Sequence, residues 1–372
     1  MCALVASAAL AQDAENGIIY KGFVFTPGAD IESIYDSNVS LQPNDEISDL
    51  SFYTKFGLGV SNQAEKVRMN ANLWGALERY MDETDENHED WGESLKFKMF
   101  DKDTVQVIVR ESYEDIQSLD YSTGTIEPRR VTDAGFSGAR QFTDKLDGDI
   151  GYSYQNTVYE SPLNFDWYEN SVNANALHDF TAKSRIGVLL DSGTQVSDGN
   201  REDGKYVTAM FGFNTRNTDK INLESGIGYM THRSDNDIST LAYKLTGSWK
   251  TTEKVSLNAN INSGIEPASQ DPNNFNETVR GSLGATWNIV KEWSASLTGM
   301  YAQNDFTELI DRDGVLEKKK DDTYTGTFRV TYQPPVKALK IYFEQKYEDK
   351  DSTFDSNDYK QYMTKLGLSL VY

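Results

Sequence analysis

Three histidines and one cysteine are the residues of this sequence best suited to catalysis or metal binding. Hydrolytic chemistry needs a histidine beside a serine or an acid. His178 precedes Asp179, His232 is followed by Arg233, Ser234 and Asp235, and His88 sits in the acidic run from Met81 to Trp91. None lies in a G-x-S-x-G or H-E-x-x-H context. By alternation, His178 belongs to the apolar face of a strand near a short turn. His232 falls at the opposite strand end, facing lipid or loop. Asp311-Arg312-Asp313-Gly314 with Glu317 matches a calcium loop only in part, because the ligand spacing is incomplete. Cys2 lies in an apolar leader, so the mature chain has no thiol or disulfide chemistry. The reading is therefore not an enzyme: no catalytic residue, no metal site and no cofactor.

The charged residues carry more information. With 36 Lys and Arg against 58 Asp and Glu, the net charge is -22, which excludes nucleic acid as a partner. The acids collect in runs such as Met81–Trp91, Asp198–Gly204, Asp305–Asp322 and Glu348–Asp358. These read as solvated loops. Their functional alternative is cation binding, or bridging through divalent ions to lipopolysaccharide. The bases instead recur at alternate positions within strand-like segments. Lys55, Arg68, Lys96, Lys98, Arg110, Arg185, Arg216, Lys244, Arg280, Arg329 and Lys340 share the polar parity. Fewer acids, Asp30, Glu32, Glu78, Glu114, Asp147, Asp149, Glu224 and Glu344, are assigned to it. Arg and Lys lining a pore favour anions. These eleven cations are thus the candidate pore-lining set, for an anionic or strongly hydroxylated solute such as an acidic sugar polymer. A salt-bridged interior that only stiffens the wall fits equally well.

Such a set needs a wall that alternates between two solvents. Only 38% of the chain is hydrophobic and the mean hydropathy is -0.60, yet there are 21 Tyr. No apolar run approaches the roughly 18 residues of a transmembrane helix. From Phe23 onward, alternating segments are joined by short turns and long polar connections in strict rotation, the pattern of a transmembrane β-barrel. The short turns centre on Asn62–Glu65, Asp101–Asp103, Thr143–Lys145, Thr181–Lys183, Thr218–Lys220, Thr252–Lys254, Val290–Glu292 and Pro334–Lys337. Eight turns, with one strand before and one after, predict an all-β, antiparallel, up-and-down barrel of about 18 strands, with short periplasmic turns and long acidic extracellular loops. Val255, Leu257, Ala259 and Ile261 suit lipid, whereas Ser256, Asn258, Asn260 and Asn262 suit water. Outward aromatics fall into two belts: Phe142, Phe180, Phe213, Trp249, Trp287, Trp293, Tyr332 and Tyr372 near the short turns, and Tyr113, Tyr154, Tyr168, Tyr229, Tyr243, Tyr301, Tyr324 and Tyr347 near the long connections. The segments 304–323 and 117–130 are candidate plugs.

Residues 1–11 read as the remnant of a signal peptide, cut after Ala9-Leu10-Ala11, residues 12–22 as a periplasmic tail, and 23–372 as the barrel. The last strand, Tyr362–Tyr372, alternates Leu366, Leu368 and Leu370 with small residues and ends on an aromatic ring. That ending is similar to the signal read by barrel-assembly machinery, an expected partner along with outer-membrane lipid, lipopolysaccharide and periplasmic export proteins at the lysine-bearing turns.

The opening strand, Phe23–Val39, contains Tyr35-Asp36-Ser37-Asn38-Val39 and resembles the opening of the putative β-barrel porin family 2. The resemblance extends through the terminal strand, although this chain ends in Tyr rather than Phe. It implies an outer-membrane channel, often associated with exopolysaccharide secretion in Gram-negative cells, and brings no catalytic residues. The function expected is a channel passing a hydrophilic solute, such as an anionic polysaccharide during export. The alternatives are a plugged structural or surface-interaction barrel and, further off, an outer-membrane hydrolase.

Overall fold

The computed structural model describes the chain except residues 1–16, 63, 65, 102–104, 121–124, 162–163, 199–203, 216–219, 234–236, 268–274, 313–314, 337 and 355–356. The signal segment and Cys2 therefore lie outside the described residues. Nineteen strands follow one another: β1 (Ile18–Tyr20), β2 (Phe23–Asp36), β3 (Asp49–Asn62), β4 (Val67–Tyr80), β5 (His88–Asp101), β6 (Val105–Asp120), β7 (Thr125–Thr143), β8 (Leu146–Tyr159), β9 (Trp167–Thr181), β10 (Ser184–Ser197), β11 (Gly204–Thr215), β12 (Ile221–Arg233), β13 (Ile238–Lys250), β14 (Val255–Pro267), β15 (Phe275–Val290), β16 (Trp293–Arg312), β17 (Val315–Tyr332), β18 (Leu339–Ser352) and β19 (Tyr359–Val371). From β2 to β19 each strand pairs antiparallel with its neighbour in sequence, and β19 closes on β2. The result is a closed eighteen-stranded barrel with no free edge along the wall.

Cross-strand partners share a face, so the register carries parity around the wall. Trp249, Leu257, Ala285, Leu297 and Phe328 form one continuous outward row over β13–β17. Ser248, Asn258, Gly284, Thr298, Thr327 and Lys346 form a lumenal row. Outward Leu283 and Leu366 are 67% and 60% exposed, tolerable only against hydrocarbon. The aromatic belts stack across strands, as in Trp293–Tyr332 at 4.8 Å and Tyr301–Tyr324 at 5.2 Å between ring centres.

The short turns repeat one local device. Thr143, Thr181 and Thr252 each accept, through Oγ1, the backbone N–H two residues on, from Lys145, Lys183 and Lys254, at 3.1–3.2 Å. A threonine hydroxyl that caps its own turn lets the chain reverse in two or three residues.

Four expectations are corrected. Segment 304–323 is no loop: β16 and β17 run on as a paired hairpin to Arg312↔Val315, across one bulge. Segment 117–130 likewise continues the β6–β7 ladder. In both segments the backbone goes on pairing after the strands leave the apolar layer. Part of the expected tail is also paired. Lys21 (φ 49°) and Gly22 (φ 84°) make a hairpin turn of two left-handed residues, which lays β1 along the start of β2 where β19 does not reach. Finally, His88 opens β5 rather than lying in a loop.

Candidate functional site: the lumen and its collar

Ten of the eleven expected pore-lining cations lie on lumenal register positions, and Arg216 falls outside the described residues. Several are held by acids. Arg185 meets Asp147 at 2.8 Å, Lys244 meets Glu224 at 2.7 Å, and Arg329 meets Glu344 at 2.7 Å. Arg280 grips Glu266 through both guanidinium nitrogens, one of them at 2.7 Å. Lys55 stands 3.9 Å above the ring of Trp74, and that ring lies across Gly92, where a Cβ would sit 2.8 Å from it. Lys340 faces the lumen opposite Ser369.

Arg68, Lys96, Lys98 and Arg110 form a patch of their own. Register sets Lys98 beside Arg68 and Lys96 beside Arg110, on β4, β5 and β6. Arg68, Lys96 and Arg110 are exposed to the lumen. The patch occupies the half of the wall near the short turns. Across the barrel, nine strands away, β14 presents Ser256, Asn258, Asn260 and Asn262, flanked by Ser282 and Thr286 on β15 and by Ser294, Ser296 and Thr298 on β16. This second wall carries no carboxylate over those positions.

Acids are not scarcer than bases in the lumen, which corrects the sequence reading. Asp36, Asp49, Asp90, Asp133, Glu169, Asp191, Glu266, Asp321 and Glu348 also occupy lumenal positions, mostly toward the long connections. Sequence parity could have found Asp36, Asp133 and Asp191; Asp90, Asp321 and Glu348 lay in runs read as loop.

That half is packed. Lys319 and Lys350 meet Asp321 at 3.4 and 3.3 Å, with all three side chains 3% exposed. Ser352 Oγ donates to Asp321 at 2.6 Å. Glu348 accepts from Tyr359 at 2.7 Å and Thr325 at 3.0 Å, and pairs with Lys346 at 3.0 Å. Beside this network the end of β14–β15 leaves β13, whose pairing stops at Lys244↔Asn262. Ile265 and Phe275 turn in against Tyr206, Met230 and Ala242. Gln195 Nε2 reaches the Ile265 carbonyl at 3.4 Å. His232 is buried on the lumenal face, 3.9 Å ring to ring from Phe275, rather than facing lipid or loop. His178 faces outward opposite Leu146 and Ile186, as expected. Among the described residues, no cluster of three or more His, Cys, Asp or Glu is placed to hold a metal.

The motif at residues 35–39 joins this collar. Asp36 accepts from Asn38 N at 2.9 Å and from Gln361 Nε2 at 2.7 Å. Asn38 Nδ2 donates to the Gln42 and Lys360 carbonyls at 2.9 and 3.0 Å. Ser37 exchanges hydrogen bonds with Tyr362. Three adjacent residues thereby tie β2 to β19 at the seam, and a family model for putative beta-barrel porin 2 matches residues 14–372. The chain belongs to that family. Its members are porins, in keeping with an outer-membrane barrel rather than an enzyme. No curated protein matches the sequence. The barrel is similar in fold to OpdO of Pseudomonas aeruginosa, at 12% identity and TM-score 0.50, covering 93% of this chain and 97% of that one. It is also similar to a BenF-like porin from Pseudomonas fluorescens Pf-5, at 9% identity and TM-score 0.50, covering 95% and 99%.

Proposed function

We propose that this porin-family barrel is a passive outer-membrane channel for an acidic, hydroxyl-rich solute of the kind found in anionic polysaccharides, oriented with its short turns in the periplasm. The observation that carries this reading is the two-faced lumen. A cationic patch, Arg68, Lys96, Lys98 and Arg110, stands across from a carboxylate-free wall of Asn, Ser and Thr at comparable distance from the short turns. Guanidinium and ammonium groups attract carboxylates, while amides and hydroxyls exchange hydrogen bonds with sugar hydroxyls at little net cost. Because the lumenal acids toward the long connections offset the bases, strong anion selectivity for simple salts is not part of the proposal.

Liposome swelling tests it. Uronic-acid oligomers should enter faster than neutral oligomers of equal length. Lys96→Gln with Lys98→Gln should remove that advantage and leave neutral flux intact. Equal rates for both sugars in the parent would overturn the acidic part of the reading. The packed collar of Lys319, Asp321, Lys350, Ile265 and Phe275 favours a second reading, a closed barrel whose outer connections bind partners. Exclusion of every sugar would decide for it.

A further inference from the structure

On the outer wall, one row of cross-strand partners spans five strands: Tyr154 on β8, Asn170 on β9, Thr194 on β10, Lys205 on β11 and Arg233 on β12. All five have outward parity, so the row faces the membrane environment, not the channel. Asn170, Thr194, Lys205 and Arg233 line a groove of about 660 Å3, together with Tyr152, Ser192, Val207 and Thr231. Arg233 lies beyond the exposed ring of Tyr229 on its own strand, toward the long connections. An aromatic belt marks the height where acyl chains give way to headgroups, so the two cations sit at headgroup level.

Lys205 and Arg233 are directly opposed in register and both exposed. Like charges in that arrangement repel. Among the described residues neither side chain has an ion-pair or hydrogen-bond partner. Asn170 accepts from the Tyr152 hydroxyl at 2.5 Å through Oδ1, which leaves its amide NH2 to donate. The row therefore offers an ammonium, a guanidinium, an amide NH2 and hydroxyls around one concavity. An anion would complement the two opposed cations. Two cations able to converge on one phosphate, with neutral donors beside them for sugar hydroxyls, match a phosphorylated glycolipid better than a simple diacyl phospholipid.

We infer that the groove lined by Asn170, Thr194, Lys205 and Arg233 binds the phosphorylated sugar headgroup of an outer-leaflet glycolipid, with its acyl chains lying along Val207 and Tyr152. The inference uses the membrane orientation given above but not conduction, and its readout is independent of solute flux.

The test is native mass spectrometry of the full chain released from phosphatidylcholine nanodiscs. The nanodiscs contain a diphosphorylated acyl-disaccharide, its dephosphorylated form, or phosphatidylglycerol. The parent should retain the diphosphorylated glycolipid about tenfold more than either comparator, the worth of roughly one charge-assisted contact. Lys205→Gln with Arg233→Gln should abolish the preference, while Lys205→Arg with Arg233→Lys should keep it. Heat-modifiable gel mobility reports that each variant is folded. Equal retention of all three lipids by the parent, an unchanged preference in the Gln pair, or full competition by millimolar inorganic phosphate would each overturn the inference.

Discussion

At the scale of single residues, the energetics are concentrated where charge is buried, not where it is plentiful. Asp321 sits between Lys319 and Lys350 with all three side chains 3% exposed. Removing its charge leaves two ammonium groups in a packed collar. Asp321→Ala should therefore destabilise the barrel by about 3–5 kcal/mol, the penalty for an uncompensated buried charge. Guanidinium unfolding of liposome-inserted protein measures it, and a midpoint within error of the parent would show the network to be solvated. Asp351, by contrast, is exposed on the outward face, and Asp351→Ala should change stability by less than about 0.5 kcal/mol. Parity in the sequence put Lys55, Arg185 and Lys244 on the lumenal face. It could not separate Asp321 from the soluble-looking run around it, because only the continuation of β16–β17 turns that run into a wall.

Among elements, the seam and the inturned hairpin matter most. At the seam, Tyr342 on β18 lies across Gly367 on β19 to donate to Glu32 on β2, and Lys365 meets Glu32 at 3.7 Å. A Cβ at Gly367 would sit 2.2 Å from the Tyr342 ring, so the glycine makes the reach over β19 feasible. Asn38→Ala removes the amide serving the Gln42 and Lys360 carbonyls and should cost about 1–3 kcal/mol. The same unfolding assay reads it, with slowed closure of the β2–β19 pair as the accompanying sign. The sequence motif flagged residues 35–39 without showing their purpose, because the partners lie at the other end of the chain. The inward bend of β14–β15 had no local signal. Ile265 and Phe275 keep outward parity, and only the loss of pairing with β13 turns them inside. Ile265→Ser with Phe275→Ser should free this hairpin and raise single-channel conductance. Unchanged conductance would mean the hairpin stands clear of the path.

For the whole molecule, the sheet was the most legible feature, since one physical rule generates it. Each strand alternates between hydrocarbon and water, three of the short turns are capped by their own threonine, and an even count of wall strands returns the chain to the side where it began. The charge pattern was less legible, because lumenal height depends on register between strands far apart in sequence. The cationic patch and the Asn/Ser/Thr wall are properties of the closed barrel rather than of any one segment. Reversing the patch with Lys96→Glu and Lys98→Glu should shift the reversal potential under a salt gradient toward cation preference, more strongly at low ionic strength. Cysteine scanning of β14, in a chain lacking Cys2, examines the alternation directly. Cysteines at 255, 257, 259 and 261 should be quenched by lipid-borne nitroxide and ignore a charged maleimide. Those at 256, 258, 260 and 262 should do the reverse. Uniform reactivity along the strand, or lipid quenching at the asparagine positions, would contradict the barrel account.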